Sequence, residues 1–325
     1  MLPDDSYHYF WRGRTYYELA DYPSAIADLT HAVELQPNDG YNYRWRGLTH
    51  YRLKDYSSAR DDLTHALELQ PNDGYNYFRR GLTQYDLKDN SSALVDFNRT
   101  ADLLPDYGYT YRLRGITHYE LKDYSSALAD FTRAIELLPD DGYNYHQRGV
   151  THYELNDYPS ALADFNRAAE LQPDDGYNYY WRGATYHKLK DYQSALSDLN
   201  RAIELQPDDG NRYYWRGLTY HELKNYPAAL ADFAYAVELL PENANAAYWR
   251  GRTHYQLKDY PSALADLTHT AELQPDDGYN HYWRGLTNYQ LNDYLSALAD
   301  LNRAIELQPD DGNIYWWRGF THYQL

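Results

Sequence analysis

Residues 177–210 read YNYYWRGATYHKLKDYQSALSDLNRAIELQPDDG, and this stretch decides the fold. Apolar and small residues recur at three- and four-residue intervals on both sides of one interruption, which is typical of two amphipathic helices. We expect the first helix to run from about Tyr177 to Leu189. Asp191 is placed to cap the second helix, and Pro207 ends it because proline cannot donate the backbone N–H that a helix interior needs. The Asp-Gly that follows predicts a turn.

The same pattern recurs along the chain with a fixed period. The marker is the glycine of an Arg-Gly pair, and successive markers are 34 residues apart. These marker glycines are Gly13, Gly47, Gly81, Gly115, Gly149, Gly183, Gly217, Gly251, Gly285 and Gly319. The period divides the chain into nine units, at residues 7–40, 41–74, 75–108, 109–142, 143–176, 177–210, 211–244, 245–278 and 279–312, with residues 313–325 beginning a tenth. We therefore expect one uninterrupted domain over residues 1–325.

Small residues indicate where the two helices of a unit touch. Alanine stands twelve residues after the marker glycine in every full unit, and leucine or phenylalanine follows four residues later. The order Gly, Tyr, Ala, Phe or Leu, Ala and Pro within 34 residues resembles the tetratricopeptide repeat, and more narrowly the bacterial form written "RG…DY…A-ADF…AIEL-P". The resemblance implies an all-α fold, a right-handed α-solenoid of nine helix-turn-helix repeats plus one extra terminal helix. It also implies that the first helices line a concave groove.

Composition excludes several classes of function. The chain has 30 basic and 48 acidic residues, a net charge of -18, so nucleic acid is an improbable partner because its phosphates would be repelled. The absence of cysteine excludes disulfides and thiolate metal sites. No signal peptide and no segment for membrane insertion is visible, so we expect a soluble chain for which the cytoplasm and the extracellular space are both open.

Catalysis is not expected, because the carboxylates recur in the same phase of every unit instead of forming a singular constellation. Histidine occupies the place three residues after the marker glycine in five units, but tyrosine, glutamine and asparagine occupy it in the others. We interpret this place as a polar packing position and not as a metal ligand. No catalytic residue, cofactor or metal site is predicted. The five histidines are His50, His118, His152, His254 and His322.

Arginine precedes the marker glycine in all ten places, and aspartate follows the glycine by fifteen residues in all nine second helices. A guanidinium and a carboxylate suit a bidentate contact between the two helices of a unit. We predict structural ion pairs such as Arg12 with Asp28, Arg46 with Asp62 and Arg182 with Asp198. The alternative is a row of arginines that binds an anionic ligand, and the matching aspartates favour the structural interpretation.

The resemblance implies that side chains three residues before the marker glycine, and one, four and five after it, face the groove. At the places three before and four after the glycine most side chains are aromatic, and an aromatic row can stack on planar or sugar-ring faces. An extended peptide or a glycan would fit, although the same rings could instead pack between neighbouring repeats. The candidate groove residues are Phe10, Tyr17, Arg44, Tyr51, Phe78, Tyr85, Arg112, Tyr119, His146, Tyr153, Tyr180, His187, Tyr214, His221, Tyr248, Tyr255, Tyr282 and Tyr289.

Two functions therefore stay open. The first is a non-enzymatic scaffold that binds a protein, a peptide or possibly a glycan in the aromatic groove, a basic or neutral ligand suiting the charge best. The second is a structural subunit that forms a homo-oligomer or filament end to end, because repeat arrays usually carry polar caps and none is visible at either end. The candidate self-association residues are Tyr7, Phe10, Trp11, Trp316, Trp317, Phe320 and Tyr323.

Overall fold

The computed structural model describes residues 5–325, and all regular secondary structure within that range is α-helical. Within residues 5–325, nine helix-turn-helix pairs are followed by one further helix, so the predicted all-α repeat fold is confirmed. The helices form two compact units that are larger than the 34-residue repeats: the first unit ends at Leu171, and the second unit begins at Gln172. The expectation of a single domain over residues 1–325 stays a prediction.

Within each unit, every first helix packs against the second helix of its pair, and that second helix packs against the next first helix. The first unit contains α1 (Ser6–Glu18), α2 (Tyr22–Leu35), α3 (Gly40–Arg52), α4 (Tyr56–Leu69), α5 (Gly74–Asp86), α6 (Asn90–Leu103), α7 (Gly108–Glu120), α8 (Tyr124–Leu137), α9 (Gly142–Glu154) and α10 (Tyr158–Leu171). The second unit contains α11 (Gly176–Lys188), α12 (Tyr192–Leu205), α13 (Gly210–Glu222), α14 (Tyr226–Leu239), α15 (Ala244–Gln256), α16 (Tyr260–Leu273), α17 (Gly278–Gln290), α18 (Tyr294–Leu307) and α19 (Gly312–Gln324).

Aspartate side chains cap most of the described helices, both first and second. The N–H of Ser24 donates to Asp21 Oδ1 at 3.3 Å at the start of α2, and the N–H of Tyr41 donates to Asp39 Oδ1 at 2.9 Å at the start of α3. The sequence predicted that Asp39 and Gly40 form a turn, but Gly40 is already the first residue of helix α3. No glycine in the described range has the positive φ of a turn glycine. Glycine is needed there for space: a Cβ on Gly40 would lie 2.9 Å from Cδ of Gln70.

The core of each pair is built from small residues and one large one. Ala25, Leu29 and Ala32 of α2 are completely buried. A Cβ on the marker glycine Gly13 would lie 2.8 Å from Cγ of Leu29, so only glycine lets α1 approach α2 this closely. The same arrangement recurs in later pairs, where Phe97, Phe131, Phe165 or Phe233 takes the place of the leucine.

The described helices are 13 or 14 residues long. None of those within residues 5–325 combines the length and the apolar character that a transmembrane span requires.

Candidate interaction surface

The arginines that precede the marker glycines contact the second helix of their own pair. In each of the three predicted pairs, Nε and Nη2 of the arginine donate to the two carboxylate oxygens of the aspartate at 2.6–2.9 Å. The aspartates are nearly buried. Two donors of each guanidinium are thus engaged inside the repeat, in the pairs Arg12–Asp28, Arg46–Asp62 and Arg182–Asp198.

The recurring histidines lie beside these ion pairs. His50 Nδ1 is 3.4 Å from Oδ2 of Asp55, and its Nε2 is 3.8 Å from Oδ2 of Asp62. His118 and His152 have the same two kinds of neighbour. Within residues 5–325, no His, Asp and Glu side chains converge into a group that could hold a metal ion.

In the first unit, most candidate groove side chains are half-buried, and Phe78 is buried. The Phe78 ring lies 5.0 Å from the ring of Tyr107 and 6.2 Å from that of Phe97, so it belongs to the core. The half-buried members are Phe10, Tyr17, Arg44, Tyr51, Tyr85, Arg112, Tyr119, His146 and Tyr153.

The two candidate groove arginines of the first unit each contact an aspartate that caps the next first helix. Arg44 Nη1 donates to Asp73 Oδ2 at 3.3 Å, a long bond, and its Nε is buried without a hydrogen-bond partner in the described range. Arg112 donates to Asn144 Oδ1 at 2.7 Å through Nε and to Asp141 Oδ2 through Nη2. Arg112 is therefore held by two neighbouring side chains through Nε and Nη2, whereas Nε of Arg44 retains a free donor.

Two tyrosines four residues after the marker glycine donate to carboxylates of the following repeat, and a third lies near one. Tyr51 Oη donates to Asp86 Oδ2 at 2.6 Å, and Tyr85 Oη donates to Glu120 Oε1. Burial, followed by the carboxylate contact, raises the pKa of both phenols above the ordinary value. Burial and the nearby Glu154 raise the pKa of Tyr119 to about 12. We call this set the tyrosine–carboxylate row: Tyr51, Tyr85 and Tyr119 with Asp86, Glu120 and Glu154.

In the tyrosine–carboxylate row, the carboxylate side chains are accessible to solvent. Glu120 and Glu154 are exposed, and Asp86 is half-buried. Asn90 Nδ2 donates to Glu120 Oε2 at 3.1 Å, which fixes that carboxylate together with the tyrosine bond. The row therefore presents one carboxylate in each of three successive repeats, and hydrogen bonds partly immobilise Asp86 and Glu120.

A cleft of about 450 Å³ lies between α1, α3 and the turn that precedes α3, and we call it the α1–α3 cleft. Tyr7, Trp11 and Tyr41 in its wall are 63%, 42% and 52% exposed, which is unusual for such large rings. The aromatic lining consists of Tyr7, Phe10, Trp11, Tyr41 and Trp45. The polar lining consists of Ser6, Arg14, Gln36, Asp39, Asn42 and Arg44.

In the second unit, the candidate groove residues are packed against tryptophans of the following repeat. The ring centroids are 5.1–5.4 Å apart in four successive contacts, His187–Trp215, His221–Trp249, Tyr255–Trp283 and Tyr289–Trp317. Burial raises the pKa of Tyr180 and Tyr214 to about 12. Tyr248 and Tyr282 are half-buried as well. In this unit the rings therefore pack between neighbouring repeats, which was the alternative to a ligand-binding groove.

Two histidines in this set are held by threonines of the next repeat. His187 Nδ1 is 3.0 Å from Oγ1 of Thr219, and His221 Nδ1 is 3.1 Å from Oγ1 of Thr253. Burial lowers the pKa of each imidazole to about 4, and a neighbouring cation, Lys188 or Arg252, contributes to the shift.

Sequence reasoning assigned Trp11 and Trp317 to self-association and missed that tryptophans two residues before the marker glycine stack on arginine. Arg14 lies between Trp11 and Trp45, with its guanidinium carbon 5.0 and 4.8 Å from the ring centroids. Arg252 lies between Trp249 and Trp283 at 4.2 and 4.4 Å. The signal was present in the repeated Trp-Arg-Gly, and in the fact that only these two markers are followed directly by arginine.

The side chains predicted for self-association lie on α1 and α19. Trp316, Phe320 and Tyr323 are 60%, 39% and 84% exposed, and the first two stack at 5.4 Å. Trp317 is half-buried against Tyr289. Association through these residues stays a prediction.

Family models for the tetratricopeptide repeat match most of the chain. They match residues 9–39, 40–73, 108–141, 151–214 and 183–250, and a TPR repeat model matches residues 287–325. The chain is a tetratricopeptide repeat protein.

Solved tetratricopeptide repeat structures support the fold. YrrB, described as a TPR protein with an unusual peptide-binding site, is 25% identical over 58% of this chain and 97% of its own, with a TM-score of 0.51. The APC/C hetero-tetramer Cut9-Hcn1 is 14% identical over 98% of this chain and 78% of its own (TM-score 0.63). A tetratricopeptide repeat protein from Parabacteroides merdae ATCC 43184 is 17% identical over 77% and 98% (TM-score 0.58). No curated protein matches this chain significantly in sequence.

Proposed function

We propose that this chain is an interaction scaffold that binds an extended, basic or neutral segment of another protein along the first helices of residues 5–171. The observation that carries the proposal is the tyrosine–carboxylate row. Its exposed acid Glu120 is held by hydrogen bonds from Tyr85 and Asn90, so a ligand loses less conformational freedom in pairing with it than with a mobile side chain. Glu154 adds a second exposed carboxylate near Tyr119.

Charge favours a basic or neutral ligand over an acidic one. The chain has a net charge of -18, so a basic segment is attracted at long range before specific contacts form. The similarity to YrrB, a TPR protein with a peptide-binding site, supports a peptide as the type of ligand. The glycan alternative and filament formation stay predictions.

The proposal is tested with three pools of fluorescein-labelled decapeptides that carry net charges of about +4, 0 and −4. Fluorescence anisotropy at two salt concentrations measures binding to the full chain. We expect the basic pool to bind most tightly and to lose affinity in high salt, since exposed charges are screened. Tightest binding of the acidic pool would contradict the proposal.

A double substitution locates the binding surface. E120Q with E154Q removes two charges of the row without changing side-chain size, and we expect it to weaken basic-pool binding by about tenfold. The matched control is E136Q with E170Q, which removes two exposed carboxylates from α8 and α10, the second helices of the same repeats. Equal weakening by both double variants would indicate net charge alone and would refute the assignment to the row.

A further inference from the structure

One arginine of the recurring ion pairs, Arg250, lacks a contact that several other repeats make. Its Nε and Nη2 donate to the carboxylate of Asp266 at 2.8 and 2.5 Å, as in the other pairs. In those other repeats the third nitrogen, Nη1, donates to a side chain on the preceding second helix. The bonds are Arg80–Thr64 at 3.3 Å, Arg114–Asn98 at 2.9 Å, Arg148–Thr132 at 3.2 Å, Arg216–Asn200 at 2.7 Å and Arg318–Asn302 at 3.4 Å.

The missing contact results from one departure in the repeat. The acceptor stands seventeen residues after the marker glycine, and this place holds threonine or asparagine in eight of the nine full repeats. In the repeat at residues 211–244 it holds Ala234, whose side chain has no oxygen. Nη1 of Arg250 therefore has no hydrogen-bond acceptor within residues 5–325, and both of its N–H groups stay available.

A second departure uncovers the same guanidinium. In eight first helices, a tyrosine four residues before the marker glycine lies against the ion-pair arginine, with the guanidinium carbon 5.2–5.9 Å from the ring centroid. In α15 this place holds Ala247, so no ring of the described residues lies on Arg250. Arg250 has thus lost two of the neighbours that hold its counterparts.

The available donor belongs to a side chain that lines a cleft among second helices. The cleft has a volume of about 360 Å³ and is lined by residues of α14, α15 and α16, and we call it the α14–α16 cleft. Leu230 and Ala234 come from α14, Arg250 and His254 from α15, and Ser262 from α16. The volume is at the small end of ligand clefts, which suits a single side chain.

Electrostatics favour a neutral acceptor over an anion in this cleft. Asp266 lines the cleft and neutralises Arg250, and a second carboxylate, that of Asp259, lies 3.1 Å from Nδ1 of His254. An anionic ligand is repelled by both carboxylates, whereas an amide oxygen accepts from Nη1 without adding charge. The hydroxyl oxygen of Ser262, in the same wall, is an acceptor for an amide N–H.

Other repeats of this chain show that an amide suits this donor. The two shortest of the five Nη1 bonds are those to the amide oxygens of Asn98 and Asn200, at 2.9 and 2.7 Å. The bonds to the threonine hydroxyls of Thr64 and Thr132 are longer, at 3.3 and 3.2 Å. An amide from another molecule is therefore the group most similar to the one that Ala234 has replaced.

The rim of the cleft is less polar than the same part of the other second helices. Ala228 stands where the eight other full repeats carry serine, and Tyr235 stands where they carry histidine or arginine. Ala231 and Ala234 are exposed, and Tyr235 is 55% exposed. Small apolar residues let another chain approach closely, and its apolar groups then exclude water from the central hydrogen bond.

We infer that the α14–α16 cleft is a docking site for a partner protein that inserts the side-chain amide of a glutamine or an asparagine. The amide oxygen accepts from Nη1 of Arg250, in place of the missing threonine or asparagine. Apolar residues beside the inserted one cover Ala234 and Tyr235. The site lies within residues 172–325 and is independent of the binding proposed along the first helices of residues 5–171.

The first test uses propionamide, propionate and propylammonium, which share a three-carbon chain and differ in the polar group. Each is titrated onto the full chain, and the ¹⁵N-HSQC signal of the Arg250 Nε–H, assigned by its loss in Arg250→Lys, reports binding. Propionamide is expected to bind about tenfold more tightly than the other two, because it alone is a neutral acceptor for a charged donor. Tighter binding of propionate would overturn the assignment of an amide.

Ala234→Asn supplies the acceptor from within the chain, as Asn200 does in the preceding repeat. It is expected to weaken propionamide binding at least tenfold. The matched control is Tyr235→Asn, which places the amide on the adjacent exposed position and should keep the affinity within twofold. Circular dichroism checks that both variants keep their helices. If Ala234→Asn binds propionamide as the wild type does, the cleft is not the site.

Asn200→Ala tests the converse, because it removes the acceptor of Nη1 of Arg216. Propionamide is expected to shift the Arg216 Nε–H signal in this variant and to leave it unchanged in the wild type. No shift in a folded Asn200→Ala variant would overturn the role of the unpaired donor.

Three pools of fluorescein-labelled decapeptides distinguish a protein ligand from a free amide. The pools carry glutamine, glutamate or methionine at one fixed central position among small apolar residues, and fluorescence anisotropy measures their binding. The glutamine pool is expected to bind about tenfold more tightly than the others, to lose this preference in Ala234→Asn, and to keep it in E120Q with E154Q.

Each remaining outcome rejects part of the inference. If propionamide binds but the glutamine pool does not, the cleft takes a small amide and the partner protein is ruled out. Loss of the glutamine preference in E120Q with E154Q would place the peptide on the tyrosine–carboxylate row instead. Failure of both propionamide and the glutamine pool to bind rejects the site altogether, while the proposed function stands on its own charged pools.

Discussion

Within residues 5–325, nine residues that directly follow the C-cap of a first helix adopt a left-handed backbone conformation, and none of them is glycine. Their φ angles lie between 59° and 65°. A side chain in this region is strained because its Cβ approaches the backbone, and glycine avoids the strain. The residues are Ala20, Lys54, Lys88, Lys122, Asn156, Lys190, Lys224, Lys258 and Asn292.

Ala20→Gly is therefore expected to stabilise the chain by up to about 1 kcal/mol, against the usual destabilising effect of glycine. The control is Ala27→Gly in the exposed middle of α2, which should destabilise by about 0.5–1 kcal/mol. Urea denaturation measures both free energies of unfolding. Destabilisation by both substitutions would contradict the left-handed assignment of Ala20.

At the scale of the element, a pair of helices is joined by one buried ion pair as well as by the core. Asp96 is only 1% exposed, and it accepts from Nε and Nη2 of Arg80 at 2.8 and 2.7 Å. Burial raises the pKa of Asp96 although Arg80 opposes the shift. The cost of burying the carboxylate is thus a large part of the energetics of the pair.

Arg80→Met alone is expected to destabilise the fold by roughly 3–5 kcal/mol, because it leaves Asp96 buried and unpaired. Arg80→Met combined with Asp96→Leu should cost far less, since no charge is then buried. The two variants are compared by thermal and urea unfolding. Losses of equal size in the single and the double variant would argue against a coupled pair.

At the scale of the molecule, stability in a repeat protein depends on contacts between neighbouring repeats. In the second unit, His187 and His221 form such contacts, and their pKa values of about 4 lie below the 6.5 of an unfolded chain. Above pH 6.5 neither state binds the proton. Between pH 6.5 and pH 4 only the unfolded state binds it, so the free energy of unfolding falls across that window and levels off below it.

The expected loss is roughly 2 kcal/mol per histidine. Other groups titrate in the same pH window, so the measurement compares the wild type with the double variant H187Y and H221Y. These substitutions introduce tyrosine, which the other repeats carry four residues after the marker glycine. The variant should lose less stability than the wild type between pH 6.5 and pH 4 in urea titrations. Parallel pH profiles would show that these histidines are not buried as neutral rings.

The helices were predictable because their signals are local. Caps such as Asp191, the stop at Pro207 and the 34-residue period act through neighbours in sequence. The role of Gly40 was not predictable, because the atom that excludes a Cβ belongs to Gln70 in the next repeat. The candidate site was predicted less well, since an aromatic residue gives the same sequence signal whether it packs on a neighbour, as Phe78 does, or lines a cleft, as Trp11 does.

The sequence by itself determined the repeat, its phase, the helix pairs and the acidic surface, because each of these depends on spacing and composition. Only the tertiary structure decided which rings are buried between repeats, which carboxylates the tyrosines hold, and that Arg14 has no acceptor within the described residues. These properties depend on contacts between repeats, where identical residues meet different partners. The interaction surface thus arises from small departures within a repeating framework, such as arginine at position 14 in place of an aliphatic residue.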